Sequence, residues 1–170
     1  MKVSSFEAIV RSFDEAGVRY LVAGGLAVNA HGYMRLTKDV DLVLDLQPEN
    51  VARALAALVR LGYRPTVPVA AAQFADPGQR QRWIREKEMK VFQLWSDEHR
   101  DTPIDLFVEE PFSFDEEYSR AVVKPLYGAV EVRFVSLGTL IRMKEAAGRA
   151  QDRVDIEHLR AKLEESLEEG

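Results

Sequence analysis

Two aspartates, Asp39 and Asp41, flank a single valine in the segment Tyr20 to Asp45, which reads YLVAGGLAVNAHGYMRLTKDVDLVLD. Alternate residues of a β-strand face the same side, so both carboxylates can meet at one point in space. Like charges that close repel unless something cationic sits between them. Hard divalent cations take carboxylate oxygens, which makes Mg²⁺ or Mn²⁺ the natural counter-ion. A third carboxylate has a similar setting. Asp105 lies in the strand-like run PIDLFV, between Ile104 and Leu106, where a charge needs a reason to be tolerated. If that run neighbours Val40 to Leu44, then Asp39, Asp41 and Asp105 converge on one edge. Three carboxylates can hold two divalent ions about 4 Å apart, an arrangement suited to in-line phosphoryl displacement. Asp105 would then be a ligand or the proton acceptor for an attacking hydroxyl.

Gly24 and Gly25 precede this pair, separated from it by the thirteen residues Leu26 to Lys38. Without Cβ atoms they let a phosphate approach the main chain, and a helix beginning there offers unpaired N–H groups. The sequence is neither a Walker A loop nor GxGxxG, and a glycine pair alone marks only a turn. The combination of glycine pair, DxD and a lone strand aspartate carries the signal. Other residues read more plainly. Asp152 and Asp155 share a helical face, where Asp152 caps or pairs with Arg149 or Arg153 and fixes the two terminal helices. His31 sits at a short helix end and reads as capping or packing. His99 and His158 have no ligand partners nearby in sequence, which speaks against a histidine zinc site. Trp83, Phe92 and Trp95 read as core or groove lining.

The elements that must position these groups follow from periodicity. Ser4 to Ala16 spaces Phe6, Ile9, Val10 and Phe13 as one helix face, closed by Gly17. Tyr20 to Ala23 is a short strand leading into a brief helix over Leu26 to His31. Val40 to Leu44 is a strand, and Pro48 starts a helix with Val51, Leu55, Leu58 and Val59 on its apolar stripe. Ala70 to Phe74 is ambiguous, and a helix follows Pro77-Gly78 to about Glu86. Met89 to Trp95 and Pro103 to Val108 are strands, and Phe112 to Val122 a short helix. Val123 to Tyr127 and Val130 to Val135 pair as a hairpin through Tyr127-Gly128-Ala129. Helices over Leu137 to Ala147 and Gln151 to about Glu165 end the chain, with a frayed tail. The order predicts an α+β fold: a central mixed, twisted β-sheet flanked by helices, with two C-terminal helices. The expected division is a core over residues 1–135 and a helical extension over 136–170 packed on it, one compact domain in all.

Bulk properties bound the possibilities. A chain of 170 residues holds one well-buried core and is short for two. With 46% hydrophobic and 30% charged residues, it is globular in composition, not disordered. The lack of cysteine excludes disulfides, thiolate metal sites and cysteine catalysis, and fits a reducing cytosol. Glu7 and Arg11 interrupt the place where a secretory apolar region would stand, so a cytoplasmic location is expected. No apolar run approaches the roughly 18 residues of a membrane span. The net charge of -5 disfavours a nucleic-acid binder as a whole. Asp76 to Lys90 is the local exception, with Arg80, Arg82, Arg85, Lys87 and Lys90 around Trp83. It reads equally as a phosphate-steering patch or as a solvated helix face with pairs such as Arg82–Glu86.

In Ala23-Gly24-Gly25, Asp39-Val40-Asp41 and Asp105 the chain resembles the nucleotidyltransferase superfamily, whose fold is shared with polymerase beta. More narrowly, GGLAVNAHG, RLTKDVDLVLD and KEAAGRAQDRVDIEHL resemble the bacterial AbiEii-like branch, which includes toxins of toxin–antitoxin systems. The likeness spans about Val18 to Leu159. It implies a nucleoside triphosphate donor, Mg²⁺ (or Mn²⁺) as cofactor, and transfer of a nucleoside monophosphate to an acceptor hydroxyl with release of pyrophosphate. Asp39 and Asp41 would be metal ligands, and Asp105 the third ligand, activating the acceptor. Gly24, Gly25, Thr37 and Lys38 would contact the nucleotide, and Lys144 in LIRMKEAAGR matches a lysine that approaches the phosphates in relatives. Arg35 and Lys38 are open to phosphate contact or to plain ion pairing. The acceptor can be RNA, protein or a small molecule, with a cognate antitoxin or toxin as a further partner. The competing reading is a catalytically inactive binding protein, or toxin–antitoxin component, that retains the scaffold.

Overall fold

The computed structural model of the protein describes residues 1–126 and 130–169. Phe6, Ile9, Val10 and Phe13 line the buried face of α1 (Val3–Ala16), and Gly17 ends it in the left-handed conformation at φ 65°. The chain enters β1 (Tyr20–Val22), buried throughout, and then α2 (Gly24–Ala30). After an extended stretch come β2 (Val40–Leu44) and α3 (Pro48–Arg60). The middle holds β3 (Arg64–Pro65), a 3-10 turn (Ala71–Ala75), α4 (Pro77–Lys87), β4 (Val91–Trp95) and β5 (Ile104–Phe107). Then follow α5 (Phe114–Arg120), β6 (Val122–Leu126), β7 (Val130–Phe134), α6 (Leu137–Ala147) and α7 (Ala150–Glu168).

The described strands form one sheet in the order β3-β4-β5-β2-β1-β7-β6. It is mixed: β2 runs parallel to β5 and β1 to β7, while β1–β2, β3–β4, β4–β5 and β6–β7 are antiparallel. Helices flank it, and the apolar core is built from Ile9 and Phe13 of α1, Leu21 of β1, Leu42 of β2, Leu58 of α3 and Leu106 of β5. Burial of side chains such as these contributes roughly 1.5–3 kcal/mol apiece. α6 packs on α7 and also on α2, so the C-terminal helices touch the element that begins at the glycine pair. Among the described residues no helix is long and apolar enough to cross a membrane.

The expected mixed sheet with flanking helices is what forms, with local differences. On α3, Val59 is 54% exposed, and the small Ala54 and Ala57 complete the buried stripe, because they let the helix lie close to its neighbours. β3, two residues pairing Arg64 with Trp95 and Pro65 with Leu94, has too little pattern to announce itself. The ambiguous run around Phe74 is the 3-10 turn, which buries that ring against Phe92. α7 continues to Glu168, past the point where fraying was expected. Arg82 reaches back to Gln79 at 3.2 Å, not forward to Glu86. β6 and β7 pair as a hairpin should, and its turn, Tyr127-Gly128-Ala129, lies outside the described residues. Trp83 stacks on Phe92 in the core, as expected of lining residues.

Candidate active site

Parallel pairing of β2 with β5 places Asp41 directly opposite Asp105, between the buried pairs Val40–Ile104 and Leu42–Leu106. Apolar residues on the opposite face fix this register, since a one-residue slip would turn every side chain over. Val40 N–H donates to the Pro103 carbonyl at 2.9 Å, extending the pairing to the strand entry, where Asp39 stands. The two-residue period then brings Asp39 to the same side as Asp41. Burial and the neighbouring charges of Asp105 and Asp39 push the Asp41 carboxyl up to about 6. Burial also raises Asp105; a hydrogen bond from Gln93 Nε2 at 3.0 Å works against this, and the charge of Asp39 works with it.

Gly24 faces the Asp41 carboxylate. Its φ of 61° is a conformation L side chains rarely adopt, and a Cβ there would overlap the carboxylate oxygen. A Cβ on Gly25 would come within 2.5 Å of Thr37 Oγ1. The pair therefore works first as clearance: it lets α2 start directly beneath the acidic groups.

From Tyr33 to Asp39 the chain is extended, with odd-numbered residues half-buried and even-numbered ones exposed. The odd residues are each engaged. Tyr33 stacks on His158 of α7 with ring centroids 3.7 Å apart. Arg35 makes a two-pronged pair with Asp155 of α7, at 2.7 and 2.8 Å. Asn29 of α2 receives Arg35 N–H and donates to Arg35 C=O, both at 3.0 Å, acting as a one-residue strand partner. Thr37 rests against Gly25. Met34 and Leu36, 75% and 97% exposed, point outward.

Opposite the carboxylates stands a basic wall from α6 and α7. Lys144 Nζ donates to Asp152 at 2.9 Å and Asp155 at 2.8 Å, all three side chains being buried. Arg149 donates its Nε to Asp152 at 2.8 Å while its side chain stays 76% exposed. Burial would raise Asp152, but hydrogen bonds from Arg149 and Lys144 overcome it and hold the carboxyl at about 2. Burial likewise works against Asp155, and Arg35, Lys144 and Gln151 together hold it below the usual range. The charges of Arg149 and Lys144 reach Asp41 and pull its acidity back toward normal.

Between the two walls lies a cavity of about 320 Å³, lined by Gly24, Gly25, Thr37, Lys38, Asp39, Asp41, Asp105, Lys144 and Arg149, among others. The residues singled out in the sequence thus come together in one place. Arg149 and Gln93 were not among them. Arg149 was visible only as a partner for Asp152; Gln93 carried no signal, being an ordinary polar residue on the exposed face of a strand. His31 bonds the Val135 carbonyl at 2.8 Å, outside the cavity. A smaller hollow of about 190 Å³ between Asp14, Tyr20, Tyr118 and Arg133 contains none of the residues predicted to act.

Among the described residues no group of three or more His, Cys, Asp or Glu side chains is disposed to hold a metal ion. The expected three-carboxylate clamp is thus not assembled as such: Asp39 precedes the strand proper, and Asp105 is engaged by Gln93. The donor chemistry still suits a hard cation. Among the described residues, the Asp39 and Asp41 carboxylates accept no side-chain hydrogen bond and form no ion pair, and Asp41 is raised by burial and by the charges of Asp105 and Asp39, which the more distant Arg149 and Lys144 only partly offset.

No protein-family model matches the chain, and no curated protein is significantly similar to it. Solved structures are similar in fold. The solution structure of the antibiotic-resistance factor ANT(2'')-Ia matches with a TM-score of 0.61 at 16% identity, over 95% of this chain and 83% of that one. The lincomycin-bound crystal structure of the lincosamide antibiotic adenylyltransferase LnuA matches with a TM-score of 0.64 at 15% identity, over 95% and 98%. ANT(2")-Ia in complex with adenylyl-2"-tobramycin matches at 0.55 and 15%, over 95% and 88%. The chain has the nucleotidyltransferase fold, the polymerase-beta-like architecture anticipated from its glycine pair and its DxD.

Proposed function

We propose that the protein is a metal-dependent nucleotidyltransferase, moving a nucleoside monophosphate from a nucleoside triphosphate to an acceptor hydroxyl and releasing pyrophosphate. The observation that carries this reading is the opposition of Asp41 and Asp105, flanked by Asp39 and the glycine pair, in a cavity whose far wall is basic. The core over residues 1–135 supplies the carboxylates, and the extension over 136–170 supplies cations.

Mg²⁺ is usually held by one or two carboxylates together with substrate phosphates, not by an all-protein cage. Asp39 and Asp41 would hold it here, with Asp105 joining once phosphate is present. When bound, the ion neutralises phosphate charge and favours ionisation of the attacking hydroxyl. Asp105, with its carboxyl raised by burial, takes the acceptor proton. Gly24 and Gly25 admit phosphate close to the start of α2, and Thr37 and Lys38 line its approach. Lys144 supports the same wall through its charge. The fold likeness to two antibiotic-modifying proteins favours a small hydroxyl-bearing acceptor over RNA or protein. The narrower kinship with the AbiEii-like branch, and with it a toxin–antitoxin setting, is supported by the sequence segments alone.

The test is incubation with each α-labelled nucleoside triphosphate, Mg²⁺ or Mn²⁺, and separate pools of RNA, protein and hydroxyl-bearing small molecules. Label transferred by the wild type and not by an Asp39→Asn/Asp41→Asn double variant supports the reading. Absence of both transfer and metal-dependent nucleotide binding would remove it and leave the inactive-scaffold alternative.

A further inference from the structure

The cation that resemblance assigns to the phosphates is committed elsewhere. Lys144 is 4% exposed, and two of its three ammonium protons point to Asp152 and Asp155. Withdrawing it toward a ligand would leave two buried carboxylates with Arg35, Arg149 and Gln151 alone, an unfavourable change. Arg149 is placed differently. It stands at the junction of α6 and α7, in the cavity wall, with most of its side chain open to solvent. Asp152 grips one edge of the guanidinium, through Nε at 2.8 Å and more weakly through Nη2 at 3.4 Å. A guanidinium has five N–H groups in a rigid fork, so this grip orients the plane and leaves the Nη1 edge without a partner among the described residues. Its charge is felt at both Asp41 and Asp105, which locates it over the same space.

We propose that Arg149, and not Lys144, is the side chain that binds the di- or triphosphate moiety, and that Lys144 serves to hold α6 and α7 in the position that presents it. This rests on reading the cavity as a nucleotide site. As the acceptor oxygen bonds to the α-phosphorus, the bond to the bridging oxygen breaks and its electron pair leaves with pyrophosphate. Arg149 meets that growing negative charge with hydrogen bonds and stays protonated throughout. The two-pronged fit of guanidinium to phosphate is the reason a lysine would be a poorer substitute.

The experiment is calorimetric titration of the full chain with inorganic pyrophosphate and with ATP, GTP, CTP and UTP in Mg²⁺, together with thermal melts. The variants are Arg149→Met, Arg149→Lys and Lys144→Met. Arg149→Met is expected to weaken pyrophosphate and triphosphate binding about 10- to 100-fold, with a smaller drop in the melting midpoint than Lys144→Met because Asp152 keeps Lys144. Arg149→Lys is expected to fall between it and wild type, and Lys144→Met to lower the midpoint clearly. Unchanged pyrophosphate affinity in Arg149→Met overturns the inference, as does a loss of affinity in Lys144→Met with an unmoved midpoint. Pyrophosphate binding that depends on Arg149, with no nucleotide bound, would uphold it while removing the nucleotidyltransferase reading. A wild-type protein that binds neither removes both.

Discussion

Asp41 and Asp105 face each other across neighbouring parallel strands, residue opposite residue, with no cation between them among the described residues. Opposed like charges destabilise a sheet. Their persistence on two well-packed strands marks a place where folding stability is given up for charge density.

Replacing Asp41 by Asn should therefore stabilise the metal-free protein. An aspartate ionises near 3.8 in the unfolded chain, while Asp41 in the fold is pushed up to about 6. The folded state thus binds its proton more tightly, and this contribution is complete below about 3.8 and lost as pH rises through about 6. Asp41→Asn keeps the neutral form at every pH. Melts at pH 8 should show it more stable by on the order of 3 kcal/mol, with the gap closing near pH 4. A lower midpoint for the variant at pH 8 would contradict this account.

Cation affinity should follow the same titration in the opposite sense. A divalent ion requires ionised carboxylates, so Mn²⁺ binding in the presence of nucleotide is expected to weaken steadily as pH falls through about 6, the value to which Asp41 is raised. Titration of Mn²⁺ followed by electron paramagnetic resonance reads this directly. Affinity that stays level between about pH 5 and pH 8 would mean that Asp41 is not a ligand.

The ionic group around Lys144 predicts a different loss. Lys144→Met leaves Asp152 and Asp155 buried with only Arg35, Arg149 and Gln151 as partners, and should destabilise by about 3–5 kcal/mol. Because Asp152 is held at about 2, its contribution is present above about 3.8 and lost as pH falls toward 2. The wild type should thus lose stability more steeply than the variant in that acid range. Parallel acid slopes in urea titrations would count against it.

Gly24→Ala and Gly25→Ala should fail for separate reasons. The first combines a positive φ with collision against the Asp41 carboxylate, so nucleotide binding should be lost along with stability. The second presses on Thr37, so Thr37→Ala added to it should recover part of the lost stability. A double-variant cycle measures this recovery, and strict additivity would show that Thr37 is not the obstacle.

Much of the acidic half of the site was legible because its signals are short. A DxD on an alternating strand, a lone strand aspartate and a glycine pair each carry meaning within a few residues. The basic half was not legible in the same way. Arg35 and Asp155 are 120 positions apart, and nothing local to either tells that they meet. Lys144 showed its identity but not its neighbours, and its two buried partners alter what it can do. Arg149 gains importance only because a helix junction leaves it exposed beside Asp152. Similarly, α3 buries Ala54 and Ala57 in place of Val59, since the rotation of a helix about its axis is set by what it packs against.

The ties of Tyr33 to His158 and Arg35 to Asp155 have a consequence for the order in which a chain becomes competent. Synthesis proceeds from the N-terminus, so the glycine pair, Asp39 and Asp41 leave the ribosome long before α7 does. Until residues 155–158 emerge, the stretch from Tyr33 to Thr37 has only its contacts with earlier residues, such as Asn29 and Gly25 of α2, to rest on. A nascent chain therefore carries the motif without the site, and α7, made well after the glycine pair and the DxD, completes the centre they begin.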